Sequence, residues 1–155
     1  MIITQNVDTL HEKAHSVNVV DLHGRIDECV CLQCGAVTSR SLYQTQLMRL
    51  NPDLATRLSN IDLTSALRAD GDVDLSGYDH SLFTVPLCPI CGTGTVKPHF
   101  VFFGDSVPLQ RVEAAYAHVD KADGLLVVGT SLEVFSAYRF VLRADKLGEL
   151  VVMRH

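Results

Sequence analysis

Basic residues are scarce in this sequence: 13 lysines and arginines stand against 18 aspartates and glutamates, leaving a formal charge of −5 over 155 residues. Nonspecific attraction to nucleic acid needs clustered Lys and Arg that displace counterions, so this balance excludes nucleic acid as a partner. An acidic surface tolerates basic protein segments instead. Long apolar runs are also missing. No stretch approaches the roughly 20 residues that cross a bilayer, and the N-terminus has neither a basic stretch before an apolar core nor an Arg-rich amphipathic helix. No membrane partner is expected. Internal repeats and low-complexity tracts are absent as well. What remains, 47% hydrophobic and 20% charged, is enough to bury one core of ordinary domain size.

Cysteines are few but patterned. Four of the five fall in two pairs, Cys31-Leu32-Gln33-Cys34-Gly35 and Cys88-Pro89-Ile90-Cys91-Gly92. Two thiolates three residues apart can bind one tetrahedral ion, while the following glycine takes the positive φ that a tight knuckle requires. Two such knuckles close a four-sulfur shell with no position for water or substrate. The expected metal is therefore one structural Zn²⁺ per chain on Cys31, Cys34, Cys88 and Cys91, its binding energy folding a ribbon too small to hold itself together. Such pairs read as metal ligands in a reducing compartment, the cytoplasm by default, and not as a secreted disulfide framework. Cys29 is left over, with burial as its expected role.

Residues Met1–Thr4 read as a strand. Asp8–His15 reads as a short helix with Thr9 and Glu12 at capping-box spacing, and Asn18–Leu22 as a second strand ending at His23-Gly24. Leu42–Leu67 has helical spacing broken by Pro52, and Ala69–Tyr78 is turn-rich, so the middle is expected to be an exposed insertion. From Pro98 the elements alternate. His99–Phe103 reads as a strand, Leu109–Asp123 as a helix, Gly124–Ser131 as a strand and its turn, Glu133–Lys146 as a helix and Glu149–Met153 as a last strand. Apolar strands separated by helices predict parallel βαβ units covered on both faces. The fold class is α/β: a partial Rossmann-type parallel sheet with an inserted four-cysteine zinc ribbon and a small helical module. The boundaries are 1–28 for the first part of the core with a catalytic loop, 29–97 for the zinc-binding insertion and 98–155 for the rest of the core. Ligands of such sheets bind beyond the carboxyl ends of the strands, which marks the loops at Phe103-Gly104-Asp105 and Gly129-Thr130-Ser131.

His11-Glu12-Lys13-Ala14-His15 matches HExxH, in which two histidines one helical turn apart bind zinc and the glutamate activates water. A metalloprotease is thus a remote alternative. Ten residues before the motif, a capping role for Glu12 and no indicated third ligand stand against it. Such an enzyme would bind a second zinc and cut peptides without a dinucleotide.

Thr4-Gln5-Asn6-Val7-Asp8 with Leu10-His11, Leu22-His23-Gly24, the paired knuckles, Lys97-Pro98 with Val101-Phe102-Phe103-Gly104, and Gly129-Thr130-Ser131-Leu132 follow one another in an order and spacing that resemble the sirtuin family. The resemblance covers essentially the whole chain, and the Ala69–Val73 and Gly104–Val107 segments are most similar to the mitochondrial-type class and its bacterial relatives. It implies NAD-dependent protein-lysine deacylation, with ADP-ribosyl transfer as a side activity: the acyl oxygen attacks the ribose carbon of NAD, nicotinamide leaves, and a base activates a ribose hydroxyl. It also implies an acyl-lysine protein or peptide as substrate and a mitochondrial location as the alternative to cytoplasm. A zinc-ribbon interaction module without turnover is the reading from a different class.

His23 is the catalytic histidine by this resemblance, and an unperturbed pKa of ~6.5 suits a base at neutral pH. A structural histidine is the plainer alternative. Asn6 would orient the ribose and water, Gln5 a ribose hydroxyl and Asp8 the nicotinamide amide, although turn formation alone could account for Asp8. Gly129, Thr130 and Ser131 would meet a phosphate, or simply cap the next helix. Val101, Phe102, Phe103, Gly104 and Val134 would line the acyl-lysine groove, an extended substrate adding as a strand. One departure is plain: none of the ten glycines forms the family's GAGxS-type loop. The core is therefore expected to be partial at both ends, the chain alone a poor enzyme, and its exposed core surface prone to association.

Overall fold

The computed structural model describes residues 1–59 and 80–154. The chain forms two compact units, Met1–Asp27 with His99–His155, and Glu28–Pro98. Ala69–Tyr78, and the helical spacing that the sequence continues beyond Ser59, lie outside the described residues.

The first unit is built on parallel strand pairs. β1 (Ile2–Thr4) pairs with β2 (Val19–Asp21), Ile3 opposite Val20. β6 (Gly124–Val128) pairs with β7 (Leu150–Arg154) over five residues. Parallel neighbours need a crossover between them, supplied for β6 and β7 by a helix of 13 residues, Phe135–Leu147. A second helix covers Leu109–Val119. In chain order these two are α5 and α4; α1 (Leu10–Lys13), α2 and α3 precede them. On α4 the buried residues are Val112, Ala115 and Val119, spaced to lie on one face. They meet Leu22, Phe140 and Ala144 in one core, against which Ile3, Val20, Leu125 and Val151 pack. Tyr116 meets Phe140 edge-on, ring centroids 5.1 Å apart, a geometry favoured by the ring quadrupoles.

The second unit holds a three-stranded sheet in the order β4-β3-β5, with β3 at Gly24–Cys31, β4 at Val37–Ser39 and β5 at Val96–Phe100. β3 and β5 are the strands in which the chain passes between the two units. The helical module is α2 (Arg40–Leu50) and α3 (Pro52–Ser59), broken at Pro52 as its missing N–H and ring demand. Asn51, buried at the break, donates Nδ2 to the carbonyls of Leu47 and Thr84, each at 2.8 Å, and accepts the Thr84 N–H at 2.7 Å. One side chain thus replaces the hydrogen bonds that the break removes.

Several expectations are corrected. The strand expected at His99–Phe103 runs instead from Val96 to Phe100, and Phe103 is fully exposed. The strand includes Pro98 because β5 lies at a sheet edge, where a residue without an N–H is tolerated. Helix α1 is a single turn without a capping box. Thr9 has φ of 61°, not the extended backbone of an N-cap; Asp8 Oδ1 takes the Leu10 N–H at 3.0 Å, and the Glu12 carboxylate is drawn to Arg25. Helix α4 stops at Val119, short of Asp123, and α5 starts at Phe135.

The largest difference concerns the sheet. β6 alternates in exposure, with Leu125 and Val127 half-buried and Leu126 and Val128 about two-thirds exposed, at 64% and 65%. Helices α4 and α5 cover one face, and among the described residues nothing covers the other. Exposed apolar sheet surface drives association. Replacing Leu126 and Val128 together by lysine should shift the sedimentation profile of the chain toward monomer; an unchanged profile would show that this face is not where copies meet.

Candidate functional site

In the zinc ribbon the four sulfurs of Cys31, Cys34, Cys88 and Cys91 all lie within 4.8 Å of one another. The Cys31–Cys91 and Cys34–Cys88 separations are both 3.8 Å. That is too long for disulfides, and it matches the edge of about 3.8 Å for a tetrahedron of sulfurs 2.3 Å from a central ion. The two knuckles repeat one hydrogen-bond pattern: Gly35 N–H donates to Cys31 O at 3.0 Å and Gly92 N–H to Cys88 O at 2.9 Å. Both glycines have positive φ, 71° and 74°, as the spacing predicted.

Backbone N–H groups aim at the sulfurs. Gln33 and Ile90 donate to Cys31 and Cys88 at 3.4 Å, and Gly94 to Cys91 at 3.3 Å. The N–H groups of Thr93 and Gly94 draw the Cys91 thiol down to about 6. The Ala36 N–H pulls Cys34 the same way, yet desolvation and the neighbouring sulfurs push it up to about 11. Four thiolates cannot share this space unless a cation neutralises them, and the donor set is that of a closed zinc site. Sequence reasoning missed Gly94: any side chain there would run into Cys31 Sγ, with Cys91 Sγ only 3.2 Å away. Cys29 stays outside the cluster, buried at 1% exposure, and burial raises its thiol pKa.

In the first unit Leu22 and His23 follow β2, and Gly24 begins β3. Gly24 has φ of 88°, and a Cβ there would collide with the His99 carbonyl and come within 2.8 Å of Phe100 Cα. Only glycine lets the two backbones approach, and this closeness allows Val101 N–H to reach the His23 carbonyl at 2.8 Å. The His23 ring is half-buried, with Nε2 2.8 Å from Ser136 Oγ. Desolvation pulls its pKa below 6.5; a hydrogen bond to the Gln5 backbone opposes this, and the Arg111 charge reinforces it. Arg111 is itself held at 2.8 Å by His99 Nε2. The result is a neutral imidazole at neutral pH.

Gln5, Asn6 and Asp8 occupy the turn between β1 and α1. Asn6 N–H donates to Thr4 Oγ1 at 3.1 Å, while Gln5 Nε2 is buried and has no hydrogen-bond partner among the described residues. A buried amide without an acceptor costs on the order of 1–3 kcal/mol, so its surroundings fit a ligand oxygen. Beyond β6, Gly129 gives its N–H to Arg154 O at 3.2 Å, and Thr130 Oγ1 accepts the Leu132 N–H at 3.1 Å. The N-cap of α5 is Val134, not Ser131, and no side chain caps it. Leu132, with φ of 58°, turns the chain first and delays the helix. Of the three residues expected at a phosphate, the Gly129 N–H is already used. Val101, Phe102, Phe103 and Gly104 form an exposed turn closed by Asp105 N–H on Phe102 O at 3.0 Å, and Val134 is half-exposed.

The HExxH segment does not form a metal site. Helix α1 ends at Lys13 and His15 sits at φ of 60°, so the two histidines are not one turn apart on a helix. Arg25 Nη1 lies 3.2 Å from Glu12 and 3.5 Å from Asp21, and its Nη2 lies 2.9 Å from Asp27, which commits the glutamate to an ion-pair network. Among the described residues, the four cysteines are the only group of His, Cys, Asp and Glu placed to hold a metal.

The Sir2 family model matches residues 1–136. The chain belongs to the Sir2 family. This Sir2 chain is 48% identical to an NAD-dependent protein deacetylase of Bordetella bronchiseptica over 148 residues, 96% of the chain and 52% of the relative. It is 45% identical to human mitochondrial NAD-dependent protein lipoamidase sirtuin-4 over 143 residues, 92% of the chain and 43% of the relative. A solved Sir2 structure in complex with the inhibitor EX-527, 2′-O-acetyl-ADP-ribose and deacetylated p53 peptide superposes with a TM-score of 0.65 at 26% identity, covering 97% of the chain and 50% of that structure. The chain spans about half the length of the curated relatives it matches.

One zinc per Sir2 chain is expected by elemental analysis, retained in Cys29→Ser and lost in Cys31→Ser; the reverse pattern would overturn the ligand assignment. Gly94→Ala should weaken zinc retention against a chelator, because its methyl group displaces Cys31 Sγ.

Proposed function

We propose that this chain carries the catalytic base, the nicotinamide-side loop and the zinc ribbon of an NAD-dependent protein-lysine deacylase. The observation that carries this reading is His23: a half-buried imidazole held neutral beside the Gln5–Asp8 turn, in a Sir2-family chain whose relatives are named as NAD-dependent deacetylases. NAD, when bound, supplies an electrophilic ribose carbon that takes the acyl oxygen and loses nicotinamide.

His23 accepts the proton of a ribose hydroxyl, a step that needs the ring unprotonated, and desolvation keeps it so. Gln5 donates its unpartnered buried Nε2 to a second hydroxyl. Asn6 orients the ribose and the attacking water. Asp8 keeps one oxygen on the Leu10 N–H and offers the other to a carboxamide. Thr130 and Ser131 donate to phosphate, and Val101 to Gly104 with Val134 form an apolar rest for the acyl-lysine stem. Transfer of ADP-ribose to protein would be a minor outcome of the same chemistry. Five free cysteines suit a reducing compartment, for which we infer the cytoplasm, with the mitochondrion as the alternative that the human relative's name raises.

His23→Ala should lower deacylation of an acyl-lysine peptide by about 10²–10⁴-fold, with zinc content and the unfolding midpoint nearly unchanged. Equal activity in the variant would refute the assignment, and a collapse of stability would favour a structural histidine. Because the His23 pKa lies below 6.5, the acid limb of kcat/KM should have its midpoint under that value and vanish from the profile of the variant's residual activity.

A further inference from the structure

Ser136 stands 113 residues from His23 in sequence, yet its Oγ lies 2.8 Å from the imidazole Nε2. It is the second residue of α5, two positions past the N-cap, where serine would bond back to the helix N–H groups. Here no side chain caps α5, and the hydroxyl is spent on the histidine. The Gln5 backbone acts on the ring as an acceptor does, raising its pKa. A neutral imidazole has one N–H to give; with that proton on Nδ1, the tautomer an acceptor there favours, Nε2 keeps its lone pair and the serine hydroxyl is the donor.

We propose that Ser136 is a positioning residue for His23, holding the base in the orientation and tautomer that keep a lone pair on Nε2. The proposal rests on the reading of His23 as the base. In the resting site the hydroxyl fixes the ring about its second side-chain torsion, which packing leaves soft because the histidine is only half-buried. When a sugar hydroxyl arrives, rotation about the single χ1 bond of Ser136 releases its hydrogen bond to Nε2; the sugar O–H bond then breaks as the N–H bond forms, and the electron pair stays on the sugar oxygen. Ser136 lies two residues after Val134, so the first turn of α5 carries both the partner of the base and a candidate wall of the acyl-lysine groove. The other charged group acting on the ring is Arg111, from α4, paired with His99 and independent of Ser136.

Two measurements test this. In the first, His23 is titrated by NMR in the 155-residue chain: Ser136→Ala should raise its midpoint by about half to one pH unit, the worth of one neutral hydrogen bond, and Ser136→Thr should restore it. In the second, the kinetics of the protein on an acyl-lysine peptide should show Ser136→Ala losing about 3- to 10-fold in kcat with little change in KM, again rescued by threonine. An unmoved titration in Ser136→Ala overturns the contact, whatever the activity. A moved titration with unchanged kcat overturns the positioning role. Equal deacylation by His23→Ala and the unsubstituted protein, each supplied with the family's glycine-rich portion, would sink the reading of His23 as the base, which the titration does not depend on.

Discussion

Four sulfur atoms within 4.8 Å of one another are a constraint that only a cation resolves. Backbone N–H groups stabilise some of them as thiolates, Cys91 most clearly, but the same crowding pushes Cys34 toward the thiol. A tetrahedral zinc removes the conflict, and with it comes the shape of the second unit. Among the described residues its core is built on Cys29, Cys31, Tyr43, Cys88 and Val96, of which two, Cys31 and Cys88, are themselves ligands. The strand that ends in the ligand Cys31 begins at Gly24, next to the candidate base.

In the first unit the governing device is a close backbone approach. Gly24 admits the His99 carbonyl, Val101 bonds His23 across that junction, and the imidazole is desolvated without being sealed in. Desolvation and the Arg111 charge disfavour imidazolium, and the Gln5 backbone restrains the shift. Arg111 in turn is held by His99, so His23, Gly24 and His99 form one connected arrangement.

Features set by short-range spacing were legible in the sequence; features set by tertiary contact were not. The two knuckles and their glycines are local geometry, so the ligands could be named from spacing alone. The strands β1 and β2, and the parallel β6–β7 pair with α5 between its strands, also followed from pattern. The start of β5 was misplaced, since a strand that includes Pro98 depends on β5 being at an edge, which no residue near it announces. Glu12 looked like a capping residue until Arg25 claimed it, and Ser136 looked like any serine near a helix start. The bare face of β6 ran against the pattern: alternating exposure places Leu126 and Val128 outward although their chemistry is that of a core. Sirtuin motifs were recognisable because they combine several short signatures in one order. Their neighbours in space carried no such signature.

The central claim is that an acyl group leaves lysine for the ribose of NAD with His23 taking the ribose proton. It is tested most directly by quantifying, by mass spectrometry, all products formed from NAD and an acyl-lysine peptide by the chain supplied together with the glycine-rich portion of the family's domain. The account predicts nicotinamide, deacylated peptide and O-acyl-ADP-ribose in equal amounts, with none of the three formed when NAD is withheld. Deacylated peptide appearing alongside free carboxylate, with NAD unconsumed, would contradict it.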